Sequence, residues 1–494
     1  MMSTRQFYAS GITLGTLSYC TPLFESLHFC LALFESFFAS SSAALIVAQL
    51  CLLKRRFAVR YPRSIAANQM DYMIDQIPVG MSAETRNGLK KLGYQFVMVA
   101  DWACGARDYR QLLSEHWSLA LCALTFFLCF LLTLIHALRH GGRYIYLWQS
   151  TFIFGIVQEV SNVHLFPNAN FVWHGQTLLT FFGRRIPAYV LFCLYPTFVY
   201  SSLVMVKRLE LRQPSECALV ALCSTVARLP YEILGTKLLW FTWHSDHPFV
   251  RQKIYCLPLS ATALHLWSVA YFVAFLRLSQ RLLLPPLYNW KLFAREIACC
   301  WLAAICGPLV GYLLFENAFV LSDWLFANGT AGVLALTHLS CFFLVIFGFF
   351  SSQAKKGTAV CCLELNAAWA IQCICLLVIA YAVRPEEIVS TGLHQPIGRC
   401  GTRIATPAML LSGFEMERFV CPRDVQHYEF DFHCTRTPSE HKPLEWYTIC
   451  GKAFDRHAEF MLVLIWLMTI VTAVQVNWCC SFKIGGRPLK DKAE

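Results

Sequence analysis

RLPYEILGTKLLWFTWHSDHPFVR, Arg228 to Arg251, starts inside an apolar stretch and leaves it through aromatic, acidic and histidine residues. About fifty residues upstream, EVSNVHLFPNANFVWHGQ (Glu159 to Gln176) makes the same transition. Each couples a carboxylate in an apolar segment, Glu232 or Glu159, to a Trp-His step just beyond it, Trp243-His244 or Trp173-His174. Apolar runs of about twenty residues are the length needed to cross a hydrocarbon core of roughly 30 Å. Carboxylates and imidazoles at that depth are costly and mark sites by default. Read as two membrane exits, these stretches make the chain a multi-pass helical membrane protein.

Composition agrees. Hydrophobic residues are 57% of the 494 and charged residues 14%, with a mean hydropathy of +0.49, whereas soluble chains carry about a quarter charged residues. The expected fold is all-α, a multi-pass transmembrane bundle of about ten spans with a disulfide-bearing lumenal loop. A lead over 1–27 precedes a first span at 28–53 and a polar lumenal or surface segment at 54–116. Within that segment, Ser82-Ala83-Glu84 predicts a capped helix ending near Gly93. The core bundle, 117–383, takes eight spans, starting at about Trp117, Tyr144, Pro187, Glu216, Leu257, Ile297, Val333 and Leu363. A cysteine-containing loop, 384–459, leads to a last span at 460–478 and a cytosolic tail at 479–494.

Four features orient the bundle. Loops after the second, fourth, sixth and eighth spans, with the tail, carry fifteen Lys and Arg, against five in the short loops of the other face. The positive-inside rule puts the first set in the cytosol. The opposite face then holds Cys400, Cys421, Cys434 and Cys450, an even set that suits an oxidising lumen and predicts two disulfides stapling a long irregular cap. The sequon Asn328-Gly329-Thr330 falls on the same face as a glycosylation candidate. Cys361-Cys362 and Cys479-Cys480 sit at cytosolic span ends, where S-palmitoylation is available. Lys54-Arg55-Arg56 disagrees, falling on the lumenal side after the first span. Lysines at 490 and 492, third and fifth from the C-terminus, resemble a dilysine retrieval signal and point to the endoplasmic reticulum, with the plasma membrane as alternative.

Glu159 and Asn162 are three apart and share a helix face, which must point into the bundle because lipid offers polar groups no partner. His164 and His174 follow, while Arg228, Tyr231 and Glu232 approach the same end from the fifth span. Three readings fit. In the first, Glu159, Glu232, His174 and His244 form a lumen-facing acid–base site. With His174, His244, His247 and Asp246 as ligands, the same site would take a divalent metal as cofactor. In the second, Asn162, His164, Trp173, Gln176, Arg228, Tyr231, Lys237, Trp243 and Arg251 form a structural polar plug under an aromatic belt, with Arg228 and Glu232 paired at i,i+4. The third is a permeation or binding path through Glu316, His338, Glu364 and Asn366. Walker A, G-x-G-x-x-G, G-x-S-x-G and H-E-x-x-H motifs are absent. Basic residues are nowhere interleaved with aromatics as nucleic-acid binding requires, so nucleic acid is excluded as a partner. The expected partners are the bilayer and a lipid or small apolar ligand.

From Trp148 to Arg251 the pattern E-x-x-N…N-x-x-W-H-x-Q…R-x-P…Y, then P-Y-E-x-x-G-x-K-x-x-W-x-x-W-H-x-D-x-P…R, resembles an uncharacterised domain-of-unknown-function family of polytopic membrane proteins. The resemblance is clearest over about 115–280 and implies fold and membrane location, not activity. Glu232 stands where that family commonly has Asp, and His247 where a less titratable residue is expected, which counts against His247 as a ligand. A fainter likeness to bacterial carotenoid-modifying membrane enzymes implies a lipid substrate. The function expected first is a membrane enzyme with a lumen-facing Glu/His site acting on a lipid or other apolar substrate. The alternative is a transporter or receptor-like protein using the same cavity without catalysis.

Overall fold

The computed structural model describes residues 82–165, 171–326, 328–351, 362–406, 414–423, 429–439 and 443–481. The expected span at 28–53 and the dilysine tail lie outside the described residues. Helix α1, Ala83–Ala103, begins where expected, with the Ser82 hydroxyl accepting the Thr85 N–H, but it runs ten residues past Gly93. Strand β1 is Cys104–Ala106. The bundle opens with α2, Tyr109–His140, and α3, Arg143–Val160, which ends in a π-helical turn at Ser161–Leu165. Strands β2 (Val172–His174), β3 (Leu179–Phe181) and β4 (Ile186–Pro187) follow. The next crossing joins π-helical stretches at Val190–Leu194 and Pro196–Tyr200 to α4, Ser201–Lys207.

Helix α5, Gln213–Lys237, carries Pro230 in its interior and leads to β5, Phe241–Trp243. Short strands β6 (Lys253–Ile254) and β7 (Leu257–Pro258) precede α6, Leu259–Leu283. Then come α7 (Phe293–Phe326), α8 (Gly329–Ser351) and α9 (Leu363–Ala382). The closing region holds β8 (Val389–Ile397), β9 (Arg403–Ala405), β10 (Glu415–Glu417), β11 (Phe430–Asp431) and β12 (Leu444–Gly451), then α10, His457–Ser481.

Among the described residues eight helical segments are long and apolar enough to cross a membrane, and the protein is a multi-pass membrane protein. Helix α3 is not one of the eight, although it packs on α7 within the bundle. Phe342, Phe343, Phe350, Trp324, Leu462 and Trp466 stay exposed on the outer helices, as lipid-facing side chains do. Helices α6 and α7 pack backbone to backbone. A Cβ at Gly307 would sit 2.5 Å from Phe272 Cα, and one at Gly311 2.7 Å from Ser268 Cα. Gly307 and Gly311 are four apart, the spacing of small residues at close membrane-helix crossings.

Polar pairings identify two ends of the bundle. At one, Arg143 Nε pairs with Glu296 Oε1 at 2.8 Å, Arg277 Nη2 with Glu216 Oε1 at 2.5 Å, and Arg139 with Glu364. All the strands gather at the other end, where the two exits pair directly as antiparallel strands, Val172 opposite Trp243 and His174 opposite Phe241. Strands β1, β3 and β4 form a second small sheet. The expected irregular cysteine loop is corrected here: β8 pairs with β12 and β12 with β11 in a three-stranded sheet, and β9 pairs with β10. Alternating residues such as Thr391, Leu393, Tyr447 and Ile449 explain this, a period of two that favours strand over loop. Of the three connectivities open to four cysteines, the cap has Cys400–Cys421 and Cys434–Cys450. The fold is thus a helical membrane bundle with a disulfide-linked, strand-bearing cap.

Candidate functional site

A cavity of about 60 Å³ lies where four elements lose regular geometry or meet the cap. Gln158 and Glu159 come from the last turn of α3, and Asn162 from its π-helical continuation. Val190, Leu194 and Tyr195 come from the first π-helical stretch and its end. Helix α5 adds Arg228, Tyr231 and Glu232 on either side of Pro230, whose missing N–H leaves the Val226 carbonyl without its helical donor. Helix α6 adds Ala261, Leu264 and His265, and the β2–β5 pair closes the site with Val172, His174, Phe241 and Trp243. π-Helical turns are rare and recur at functional sites. Non-regular backbone at membrane depth is tolerated where it is buried or lines a cavity.

Polar groups in the cavity wall form a connected set. Tyr195 donates its hydroxyl to Glu159 Oε1 at 2.5 Å. Gly155 permits that approach, because a Cβ there would come within 2.6 Å of the Tyr195 ring. Arg228 Nε lies 2.7 Å from Glu232 Oε1, an ion pair whose angle gives Nε no directed hydrogen bond. Arg228 Nη1 donates to His265 Nδ1 at 3.0 Å, so the neutral ring carries its proton on Nε2, facing Ser224 Oγ at 3.2 Å. Tyr189 and Tyr231 share a hydroxyl contact of 3.0 Å, and Gln158 Nε2 donates to Asn162 Oδ1 at 3.3 Å. His174 Nδ1 is buried without a hydrogen-bond partner. Burial, then the charges of Arg228 and Arg185, pushes the His174 imidazole down to about 3, so it is neutral at physiological pH.

The two Trp-His steps do not deliver both imidazoles to this cavity. Side chains alternate across a strand. On β2, Val172 and His174 face the cavity while Trp173 faces away, its ring 5.9 Å from that of His244. On β5, Phe241 and Trp243 face the cavity, and His244 falls on the opposite side. His244 Nδ1 accepts the Asp246 N–H at 3.1 Å, and Nε2 lies 3.3 Å from the Gln395 amide nitrogen. Burial, then Lys253, pushes His244 down to about 3 as well.

The residues expected as metal ligands make local bonds of their own. Asp246 pairs with Arg251 at 2.8 Å and accepts the Glu417 N–H, and His247 Nδ1 accepts the Phe249 N–H at 3.2 Å. His247 Nε2 stays buried without a hydrogen-bond partner, while Asp246 is held by Arg251 and the Glu417 N–H. Among the described residues the one group with ligand atoms in mutual reach is Asp431, His433 and Cys450, and Cys450 is in a disulfide.

The remaining sequence candidates have other partners. Trp243 donates to Thr236 Oγ1 at 3.1 Å, and Lys237 donates to the Ala453 carbonyl at 2.9 Å. Gln176 Nε2 donates to the Arg184 carbonyl at 2.9 Å, away from this cavity. The side chain of His164 lies outside the described residues. Asn328 Oδ1 accepts the Ala331 N–H at 3.0 Å, capping α8. Sequence reasoning passed over Tyr195 and His265. A single histidine in the apolar run Leu257–Leu276 was the available signal for His265. Nothing local distinguishes Tyr195 from the tyrosines at 189 and 200.

No curated protein and no solved structure matches the chain. A family model does match, over residues 70–480, which spans the whole bundle, the paired exits and the disulfide-linked cap. The chain therefore belongs to the family described as Domain of unknown function (DUF7802).

Proposed function

We propose that the chain is a membrane enzyme that transfers a proton to or from a lipid or other apolar substrate at the α3–α5–α6 cavity. The observation that carries this reading is the convergence of Glu159, Glu232, Arg228, His265 and His174 on one small space. Its remaining walls are apolar: Val190, Leu194, Leu264 and Phe241. Two carboxylates face one guanidinium, so charge balance at membrane depth is reached with one carboxyl protonated, which is a transferable proton. His174 presents an unpartnered nitrogen beside them and orients a substrate hydroxyl or carbonyl. Pockets that enclose whole small molecules run to about 300 Å³ or more. A cavity of about 60 Å³ therefore admits the reacting polar group and leaves the apolar tail among the helices.

The two disulfides support placing this end of the bundle in an oxidising lumen. In the competing transport reading, polar groups would continue through the bundle. At the far end, Arg143–Glu296 and Arg277–Glu216 satisfy one another as ion pairs, which favours chemistry over passage.

The test is comparative lipid profiling of cells that lack the protein and are complemented with wild type, Glu159→Gln, Glu232→Gln or His244→Gln. Wild type and His244→Gln should restore a lipid change that both glutamate variants fail to restore, with all four proteins present at equal level. If wild-type and deficient profiles are identical while proteoliposomes acidify on addition of a solute, the protein is a transporter.

A further inference from the structure

A second cavity, about 270 Å³, opens between the bundle end and the cap. It has no part in the proton-transfer reading. Arg107, Asp108 and Gln111 line it from the start of α2, and Gln176, Thr180 and Arg184 from the β2–β4 region. Thr391 of β8 and Trp446 of β12 reach it from the cap. Asp108, Gln111 and Trp446 are exposed at the rim, whereas Gln176 and Thr180 are buried at the floor. This cavity gives a place to Gln176 of the Trp-His-Gly-Gln step, which the first cavity leaves unused.

The lining selects a ligand chemistry. Both guanidinium groups are already matched by acids: Arg107 Nη2 lies 2.5 Å from Glu115 Oε2, and Arg184 Nη2 lies 3.4 Å from Asp101 Oδ1. With Asp108 also present, the site has no surplus positive charge to hold an anion. What it presents instead are carboxamides and hydroxyls, which both donate and accept hydrogen bonds, and the Asp108 carboxylate, which accepts. Beside them stands an indole that is 42% exposed and has the Arg184 guanidinium 5.5 Å from its ring centre on one side. An indole is a flat apolar plate, and here it stands among polar lining groups. A ring bearing hydroxyls along its edge and C–H groups on its face satisfies both features.

The geometry points to a binding site for a neutral sugar ring, free or as the headgroup of a glycolipid, between Trp446 and the Gln111–Gln176 side of the cavity. The floor is fixed in place. The Gln176 side-chain amide donates to the Arg184 carbonyl, the Gln176 main-chain carbonyl accepts from Arg107 Nη1 at 3.2 Å, and Gly392 lets the side chain pass close to β8. Because the walls come from both the bundle and the cap, an occupied site ties the two together.

The experiment uses the full chain in nanodiscs prepared without alkyl-glycoside detergents, which would occupy the site. Methyl β-glucopyranoside is the soluble probe, nanodiscs containing glucosylceramide supply the headgroup, and inorganic phosphate serves as the anion control. Saturation-transfer NMR and Trp fluorescence report binding. Wild type should bind the glycoside or the headgroup. Trp446→Ala and Gln111→Ala should each weaken binding at least tenfold, Trp446→Phe should retain most of it, and thermal melting should stay unchanged. Binding to the glycolipid alone would identify the source as a headgroup and support the proposal. Absence of sugar binding to wild type, binding untouched by Trp446→Ala, or phosphate binding in place of sugar would each overturn it.

Discussion

His174 and His244 show how one residue type takes two roles from similar local sequence. Both follow tryptophan at an exit, and both are held down to about 3 chiefly by burial. Their nitrogens differ: Nδ1 of His174 is unpartnered beside the carboxylates, while His244 is bonded within the cap interface. Each is neutral in the folded chain and protonates near 6.5 once unfolded. Between those values the unfolded chain binds more protons, so stability is fully present above about pH 6.5 and falls as pH drops. Each histidine should cost about 2 kcal/mol by pH 5. Thermal melts from pH 7.5 to 5 should therefore show a steep loss, and His244→Gln should make the slope shallower. An unchanged slope in that variant would show that His244 is solvated in the folded protein.

At the scale of elements, irregular helix geometry and close helix contact divide the work. The π-helical turns and Pro230 lie around the first cavity, whereas Gly307 and Gly311 hold α6 and α7 at backbone contact. Helix α6 carries His265, so the α6–α7 crossing also fixes one wall of the site. Gly311→Leu forces a side chain into the Ser268 backbone and should destabilise the bundle by about 1–3 kcal/mol, the usual cost of overpacking. The measurement is the midpoint of denaturant unfolding in detergent, with Gly88→Leu as control, since nothing lies within 4 Å of a Cβ there. Equal midpoints for the two variants would mean that α6 and α7 are not in close contact.

Across the whole molecule, the cap is tied to the bundle by Arg251 to the Glu415 carbonyl, Lys253 to Glu429 and Lys237 to the Ala453 carbonyl. Disulfide loops with sequence separations of 21 and 16 residues restrict the unfolded cap. Each should contribute about 3 kcal/mol. Non-reducing peptide mapping should recover Cys400 with Cys421 and Cys434 with Cys450, and reduction should loosen the cap at lower temperature than the bundle. All four cysteines recovered as thiols would place this end in a reducing compartment. If the capped end is lumenal, the dilysine reading of Lys490 and Lys492 predicts retention in the endoplasmic reticulum. Lys490→Ser with Lys492→Ser should then move a tagged protein from the endoplasmic reticulum to later compartments. Wild type and variant both resident at the cell surface would make the capped end extracellular.

The helical membrane class was legible in the chain, because apolar runs of bilayer length are local facts. Pairing of Arg228 with Glu232 was legible for the same reason, being a matter of i,i+4 spacing. Which imidazole faces the cavity was not, because strand alternation and the antiparallel register of β2 with β5 decide it, and both arise from residues about seventy positions apart. The share of Tyr195 and His265 in the site, the sequential disulfides and the second cavity likewise come from segments that meet only when the bundle and cap close. Sequence set what had to be buried; tertiary packing decided which buried groups face one another.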